Sequence, residues 1–240
     1  MKKLILGLTL ILMVALSSCV QGYAPENDFA VEMVSGTVRI FDYMGNSKSI
    51  RIPPYIRNVP VTIIGHSAFA NRQLTSVVIP NSVTNIELWA FAGNQLTNVV
   101  IPGNVTSIGN AAFAGNQLTR IVIPNNVTSI GNFAFATNQL TNITIPNSVI
   151  FLSGFNSNHL TAIEIPDNVT SIGWGAFSNN QLTSVVIPDS ITSVGEEAFA
   201  GNPLTSVTIP FASLQEADEA WGGIGWRGGI PEDVMWVFAP

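Results

Sequence analysis

One spacing constrains this chain more than any other property. Leucines that open near-identical segments stand at Leu74, Leu96, Leu118, Leu140, Leu160, Leu182 and Leu204, 22 residues apart except for a 20-residue step from 140 to 160. The segment reads LTSVVIP at 74–80 and again at 182–188, with LTNVVIP, LTRIVIP, LTNITIP and LTAIEIP between. Ile-Pro pairs beginning at Ile52, Ile79, Ile101, Ile123, Ile145, Ile165, Ile187 and Ile209 keep the same register. A leucine-bearing unit this short cannot close a core alone, so neighbours must stack to bury its apolar face; the period is that of a solenoid. About seven to eight coils are expected, and at ~4.8 Å per coil the stack is about 35 Å long.

Each unit assigns its side chains in a fixed order. Val77 and Ile79 share one face at period two while Ser76 and Val78 point the other way, so Leu-Thr-x-Val-x-Ile is predicted to be the strand of each coil. Pro80 ends it, because proline cannot donate the next ladder hydrogen bond. Val83 and Ile86 give a second apolar pair, and Gly109, Gly131, Gly173 and Gly195 suit a tight corner after it. Ala-Phe pairs such as Ala112-Phe113 and Ala134-Phe135 place a large plug in each coil. Asn94, Asn116, Asn138, Asn158, Asn180 and Asn202 recur before the next leucine, where asparagine is suited to hydrogen-bond turn backbone. About five apolar side chains per coil enter the core, each worth roughly 1.5–3 kcal/mol before ordering entropy is subtracted.

The segment 147–155 is short by two residues and has lost the Ala-Phe pair. Phe155 is the expected substitute plug, with a local kink. The irregularity reads either as repeat decay or as a mark of binding, and decay is the simpler account.

The ends leave the pattern. Residues 1–18 carry Lys2 and Lys3 followed by an apolar run from Leu4 to Leu16, too short to span a bilayer as a helix but suited to an export signal. Leu16-Ser17-Ser18-Cys19 resembles a bacterial lipobox, which makes Cys19 the expected lipidation site and membrane attachment the expected consequence. Cys19 is the only cysteine, so no disulfide forms within the chain. Residues 19–32 are expected to be a flexible tether, 33–49 a hairpin-like N-terminal cap, 50–210 the solenoid, and 211–240 a C-terminal cap built on Trp221, Trp226 and Trp236.

After leader removal seven basic residues remain against fifteen acidic, a formal charge near −8. That balance lacks the basic footprint of a nucleic-acid binder. Charge is also uneven along the axis: residues 33–72 hold five basic side chains and one acidic, and 211–240 hold five acidic and one basic. Weak end-to-end self-association is a possible consequence.

The combined Leu, Ile-Pro, Ile-Gly and Ala-Phe landmarks, as in LTSVVIP followed by VTNIELWAFAGNQ, resemble the BspA-like, or treponemal-type, leucine-rich repeat over roughly residues 50–210. The resemblance implies a β-rich solenoid of the right-handed α/β-type horseshoe class with irregular caps. It also implies a bacterial surface lipoprotein, at the outer membrane or cell surface, that binds proteins of host or neighbouring cells. Family repeats are usually one residue longer, and several carry cysteine where this chain has glycine or asparagine. The family has no shared catalytic residues to carry over.

The residues pointing away from the predicted strand core form the candidate binding strip: Thr75, Ser76, Val78, Thr97, Asn98, Val100, Thr119, Arg120, Val122, Thr141, Asn142, Thr144, Glu164, Val186 and Thr208. A contiguous run of exposed β-branched residues suits protein contact. The same residues are also good strand formers on a solvated sheet. Ice or carbohydrate contact through the Thr column is disfavoured, because the neighbouring positions are Val or mixed. His66 and His159 are far apart, and Asp189 with Glu196-Glu197 lacks the defined cleft that acid–base work requires. No catalytic residue, metal site or cofactor is assigned. The expected role is a non-enzymatic, lipid-anchored scaffold for recognition or adhesion; a structural envelope spacer or surface antigen without a dedicated ligand is the alternative.

Overall fold

The computed structural model describes residues 22–238, so the leader and Cys19 lie outside the described residues. Each coil buries a regular set of side chains. In the coil opened by Leu96 these are Leu96, Val99, Ile101, Val105, Ile108, Ala112 and Phe113, all under 5% exposed, more than the five expected. The phenylalanines form one continuous stack, Phe69, Phe91, Phe113, Phe135, Phe155, Phe177 and Phe199, with successive ring centroids 5.0–5.9 Å apart. Phe155 takes its place in this stack fully buried, so the short coil keeps its plug. The result is a β-solenoid horseshoe of about eight turns with a repeat near 22 residues. The return side of each coil is made of turns; the α-helix Leu214–Trp221 belongs to the C-terminal cap.

The main ladder lies one corner later than the sequence suggests. Two-residue parallel strands Asn85–Ile86, Ser107–Ile108, Ser129–Ile130, Phe151–Leu152, Ser171–Ile172 and Ser193–Val194 pair in unbroken succession, so Val-Thr-x-Ile is the continuous sheet. The Leu-Thr-x-Val-x-Ile segments pair only at the two ends: Ser49–Arg51 with Ser76–Val78, and Ser184–Val186 with Ser206–Ile209 and then Met235–Phe238. Among the described residues no backbone hydrogen bond joins the intervening segments 97–101, 119–123, 141–145 and 161–165 to one another. Every other side of the coil is bonded to its neighbour. Gly109 N–H donates to Ile86 O at 2.8 Å, Phe91 N–H to Ala112 O at 2.8 Å, and Gln117 N–H to Leu96 O at 2.9 Å.

This asymmetry has a geometric consequence. Sides held at hydrogen-bonding distance keep the ladder rise of ~4.8 Å, while the central Leu-Thr-x-Val-x-Ile segments have no bonds to hold them together and part into clefts. The corner glycines let the paired side close tightly. A Cβ on Gly109 would lie 2.6 Å from Glu87 C and Leu88 N, and one on Gly195 would lie 2.5 Å from Trp174 N. Glycine is needed there for close approach between coils, not for an unusual turn dihedral.

The asparagine column is buried and joins coils. Asn116 Oδ1 accepts Leu96 N–H at 3.1 Å, and its Nδ2 donates to Phe91 O and Phe113 O, each at 3.0 Å. Asn94, Asn138, Asn158, Asn180 and Asn202 repeat this arrangement. One carboxamide therefore satisfies a donor and acceptors of two successive coils, which an alkyl side chain of the same size cannot do.

The N-terminal cap begins earlier than the sequence suggests. Strand Phe29–Val34 pairs antiparallel with Thr37–Tyr43, and the latter pairs in parallel with Val59–Ile64 to start the main sheet. Part of the stretch 19–32, expected to be a flexible tether, is thus folded, because Phe29 is needed to cover the end of the aromatic stack against Tyr43 and Phe69. Burial pushes the Tyr43 phenol above its ordinary value, and nearby Asp28 adds to the shift. At the other end Ser213 Oγ accepts Glu216 N–H to cap the helix, and Gly222 (φ 87) ends it. Trp221 Nε1 donates to Ile191 O at 3.1 Å, and Trp221, Trp226 and Trp236 interlock edge to face over the last coils.

Candidate functional site

The residues of the strip stand on one face and, apart from half-buried Thr208, are all exposed. Val100, Val122 and Val186 are 74%, 79% and 62% exposed, an unusual state for three β-branched apolar residues in one row. The row is not the surface of a continuous sheet. Adjacent segments part to leave clefts of about 500 Å³ between Thr75–Ile79 and Thr97–Val100, and about 410 Å³ between Arg120–Ile123 and the coil that carries Asn142 and Thr144. A third cleft of about 320 Å³ lies between Ile143–Ile145 and Glu164–Asp167 and is more polar than the others. The face therefore offers apolar side chains together with backbone N–H and C=O groups that no neighbouring coil takes. Arg120 and Glu164 mark it with opposite charges two coils apart.

Two surfaces escaped the reading of the sequence. The outward side of the paired ladder carries its own Thr column, in which Thr84, Thr106, Thr128 and Thr192 donate through Oγ1 to the threonine carbonyl or equivalent of the preceding coil at 3.0–3.4 Å. The signal was present in the Val-Thr of each unit, but it became meaningful only once that segment proved to be the ladder. The second surface is the corner after this ladder, where Trp89, Phe133 and Trp174 are 47%, 37% and 48% exposed.

The axial charge contrast is partly neutralised within the folded chain. Arg39 bonds both Glu87, at 2.5 Å, and Glu32, and these carboxylates raise its already high pKa further. Arg72 pairs with Asp42, and Arg227 with Asp218, each at 2.5 Å. The residues considered for chemistry are not brought together. The His66 ring lies against Trp89, 5.4 Å between centroids, whereas the His159 ring contacts Gln181. Among the described residues no group of three or more His, Cys, Asp or Glu is arranged to hold a metal ion. Among them, too, no helix is long and apolar enough to cross a membrane.

A known structure shares this architecture. A leucine-rich repeat protein from Bacteroides ovatus is 26% identical over 76% of this chain and superposes with a TM-score of 0.53. This chain spans 64% of that protein's length. The leucine-rich repeat protein of T. pallidum is 20% identical, with 90% of this chain and 82% of that one covered, at a TM-score of 0.39. The leucine-rich repeat domain of a Shigella effector is 19% identical, with 71% and 79% covered, at 0.46. No curated protein matches the sequence. The BspA type leucine rich repeat region matches in six copies across residues 38–154 and 150–220, most of the chain, and the chain belongs to that family.

Proposed function

We propose that the protein is a non-enzymatic lipoprotein of the bacterial cell envelope whose solenoid recognises proteins on host or neighbouring cells. Export rests on the leader at 1–18 and anchoring on acylation of Cys19. Recognition rests on one observation: the only side of the coil without bonds between its central segments is also the side that displays Val100 and Val122. A partner that lays apolar side chains against these valines removes exposed hydrocarbon from water, and its polar groups find backbone partners in the clefts. Arg120 and Glu164 give the contact an orientation.

The double variant Val100→Glu/Val122→Glu tests the assignment. Binding to a panel of extracellular-matrix and cell-surface proteins, read by surface plasmon resonance, is expected to fall at least tenfold relative to the parent chain. The melting temperature is expected to stay within a few degrees, because neither side chain contributes to the core. Unchanged binding moves recognition to another face. A folded parent chain with no saturable partner supports the envelope spacer instead.

A further inference from the structure

The corner between the paired ladder and the Ala-Phe pair carries side chains that the fold itself does not call for. The residue before the alanine adopts left-handed backbone in every coil that has the Ala-Phe pair: Ser67 (φ 55), Trp89 (φ 56), Ala111 (φ 52), Phe133 (φ 61), Gly175 (φ 56) and Glu197 (φ 55). Glycine takes this geometry without strain, whereas a bulky L residue there is an outlier. Trp89 and Phe133 nevertheless occupy it while remaining 47% and 37% exposed, so burial does not compensate for the strain. Inside the fold the Trp89 ring meets His66 and the Phe133 ring meets Trp174, yet both residues stay exposed, so an outlier here points to a further contact outside the fold.

The corner has a definite layout. The short coil runs Ser153-Gly154-Phe155 and lacks both outer corner residues, so Phe133 and Trp174 meet across the gap with ring centroids 5.5 Å apart. Two oriented amides stand between Trp89 and this pair. Asn110 Oδ1 accepts Asn132 N–H at 2.9 Å, and Asn132 Oδ1 accepts the Ser153 hydroxyl at 2.8 Å. The backbone N–H of Asn132 fixes Asn110 Oδ1 as the acceptor, and with Asn132 Oδ1 on the serine hydroxyl neither Nδ2 faces a protein acceptor among the described residues. Along the axis the order is Trp89, Asn110, Asn132 with Phe133, then Trp174. Trp89 and Phe133 stand two coils apart, about 10 Å at the ladder rise, which is about the length of a disaccharide unit.

We infer that this edge is a shallow binding platform for a neutral oligosaccharide. The C–H faces of pyranose rings stack on the exposed aromatic rings, and ring hydroxyls accept from the two Nδ2 groups. The chemistry favours a sugar over a peptide strand for two reasons. The backbone here is already used, since Trp89 N–H and Phe91 N–H both donate to the next coil. The carboxylate beside Trp89, Glu87, is held by Arg39 and by His66 N–H, and the exposed carboxylates Glu196 and Glu197 stand one coil beyond Trp174, which disfavours an anionic ligand. The platform is separate from the open strip and from both Thr columns.

The test uses the full chain in a zwitterionic, sugar-free detergent, titrated calorimetrically with cellohexaose, xylohexaose, mannohexaose and chitohexaose. At least one probe is expected to bind and to change tryptophan emission. Phe133→Ala/Trp174→Ala is expected to weaken that binding at least tenfold, with Val122→Glu unchanged as a control on the other face. Trp89→Gly gives the sharper reading: it is expected to raise the melting temperature by relieving strain while weakening binding about fivefold or more. The inference is overturned if none of the four probes binds, if binding survives these substitutions, or if Trp89 and Trp174 prove necessary for a protein ligand and for no sugar.

Discussion

Replacing Phe135 by alanine is expected to lower stability by about 5 kcal/mol and to split the unfolding transition. Phe135 is fully buried in the middle of the aromatic stack, parallel to Phe113 at 5.5 Å and within 15° of Phe155 at 5.4 Å. Phe→Ala in a core costs roughly 3–5 kcal/mol through lost transfer energy and the cavity left behind. Loss of two ring contacts adds about 0.5–1.5 kcal/mol each. The larger effect is on cooperativity. Coils touch only their neighbours, so stability is a chain of interfaces and weakening a central one uncouples the two halves. Urea unfolding followed by circular dichroism is expected to show one transition in the parent and two in the variant. A single transition displaced by less than about 1 kcal/mol would mean that the rings do not carry the coupling between coils.

The second large effect concerns a polar residue. Asn116→Ala is expected to cost about 3 kcal/mol, while Asn104→Ala in the same coil costs under about 0.5 kcal/mol. The contrast is one of burial. Asn116 is 7% exposed and ties two coils together, whereas Asn104 is exposed and makes one bond, Nδ2 to Asn81 O at 2.7 Å. Phe91 O and Phe113 O each keep a second asparagine, Asn94 and Asn138, after the substitution. Leu96 N–H does not, and its burial without a partner is the main part of the loss. At roughly 2–4 °C per kcal/mol for a domain of this size, the melting temperature of Asn116→Ala is expected to fall by about 6–12 °C. Equal effects at the two positions would contradict the account of the asparagine column.

These two residues also show what the sequence made legible. A core that repeats every 22 residues must fill the same positions in every coil, so Leu, Val, Ile, Phe and Asn could be assigned from their columns. Phe155 could be picked out in the short coil because the stack cannot omit a ring. The pairing pattern was not legible. Val77-x-Ile79 and Val83-x-x-Ile86 both offer a buried pair, and local alternation does not say which segment will bond to its neighbour. That choice depends on how all the coils stack together, which is a collective property of many coils. The start of the N-terminal cap was hidden for a related reason: Phe29 is recruited by the exposed end of the stack, through contacts to Tyr43 and Phe69 far along the chain.

The candidate strip is legible in the sequence as a list of outward residues. Val100 and Val122 are expected on paired strands, yet their segments form no ladder. The corner aromatics were visible as departures from the repeat at Trp89, Phe133 and Trp174. Their meaning required the backbone angle and the gap left by the short coil, neither of which the sequence displays.

The central claim is that every coil is bonded to its neighbours on all sides but one, and that the unbonded side is the one displayed to partners. Native-state amide hydrogen exchange tests it directly. Thr106, Gly109, Phe113 and Gln117 donate to neighbouring coils and are expected to exchange slowly, near the rate set by global unfolding. Val100 and Val122, on central segments of the open side, are expected to exchange orders of magnitude faster. Equal protection at Val100, Val122, Gly109 and Phe113 would show that the outer segments are also a closed ladder, and would contradict the account.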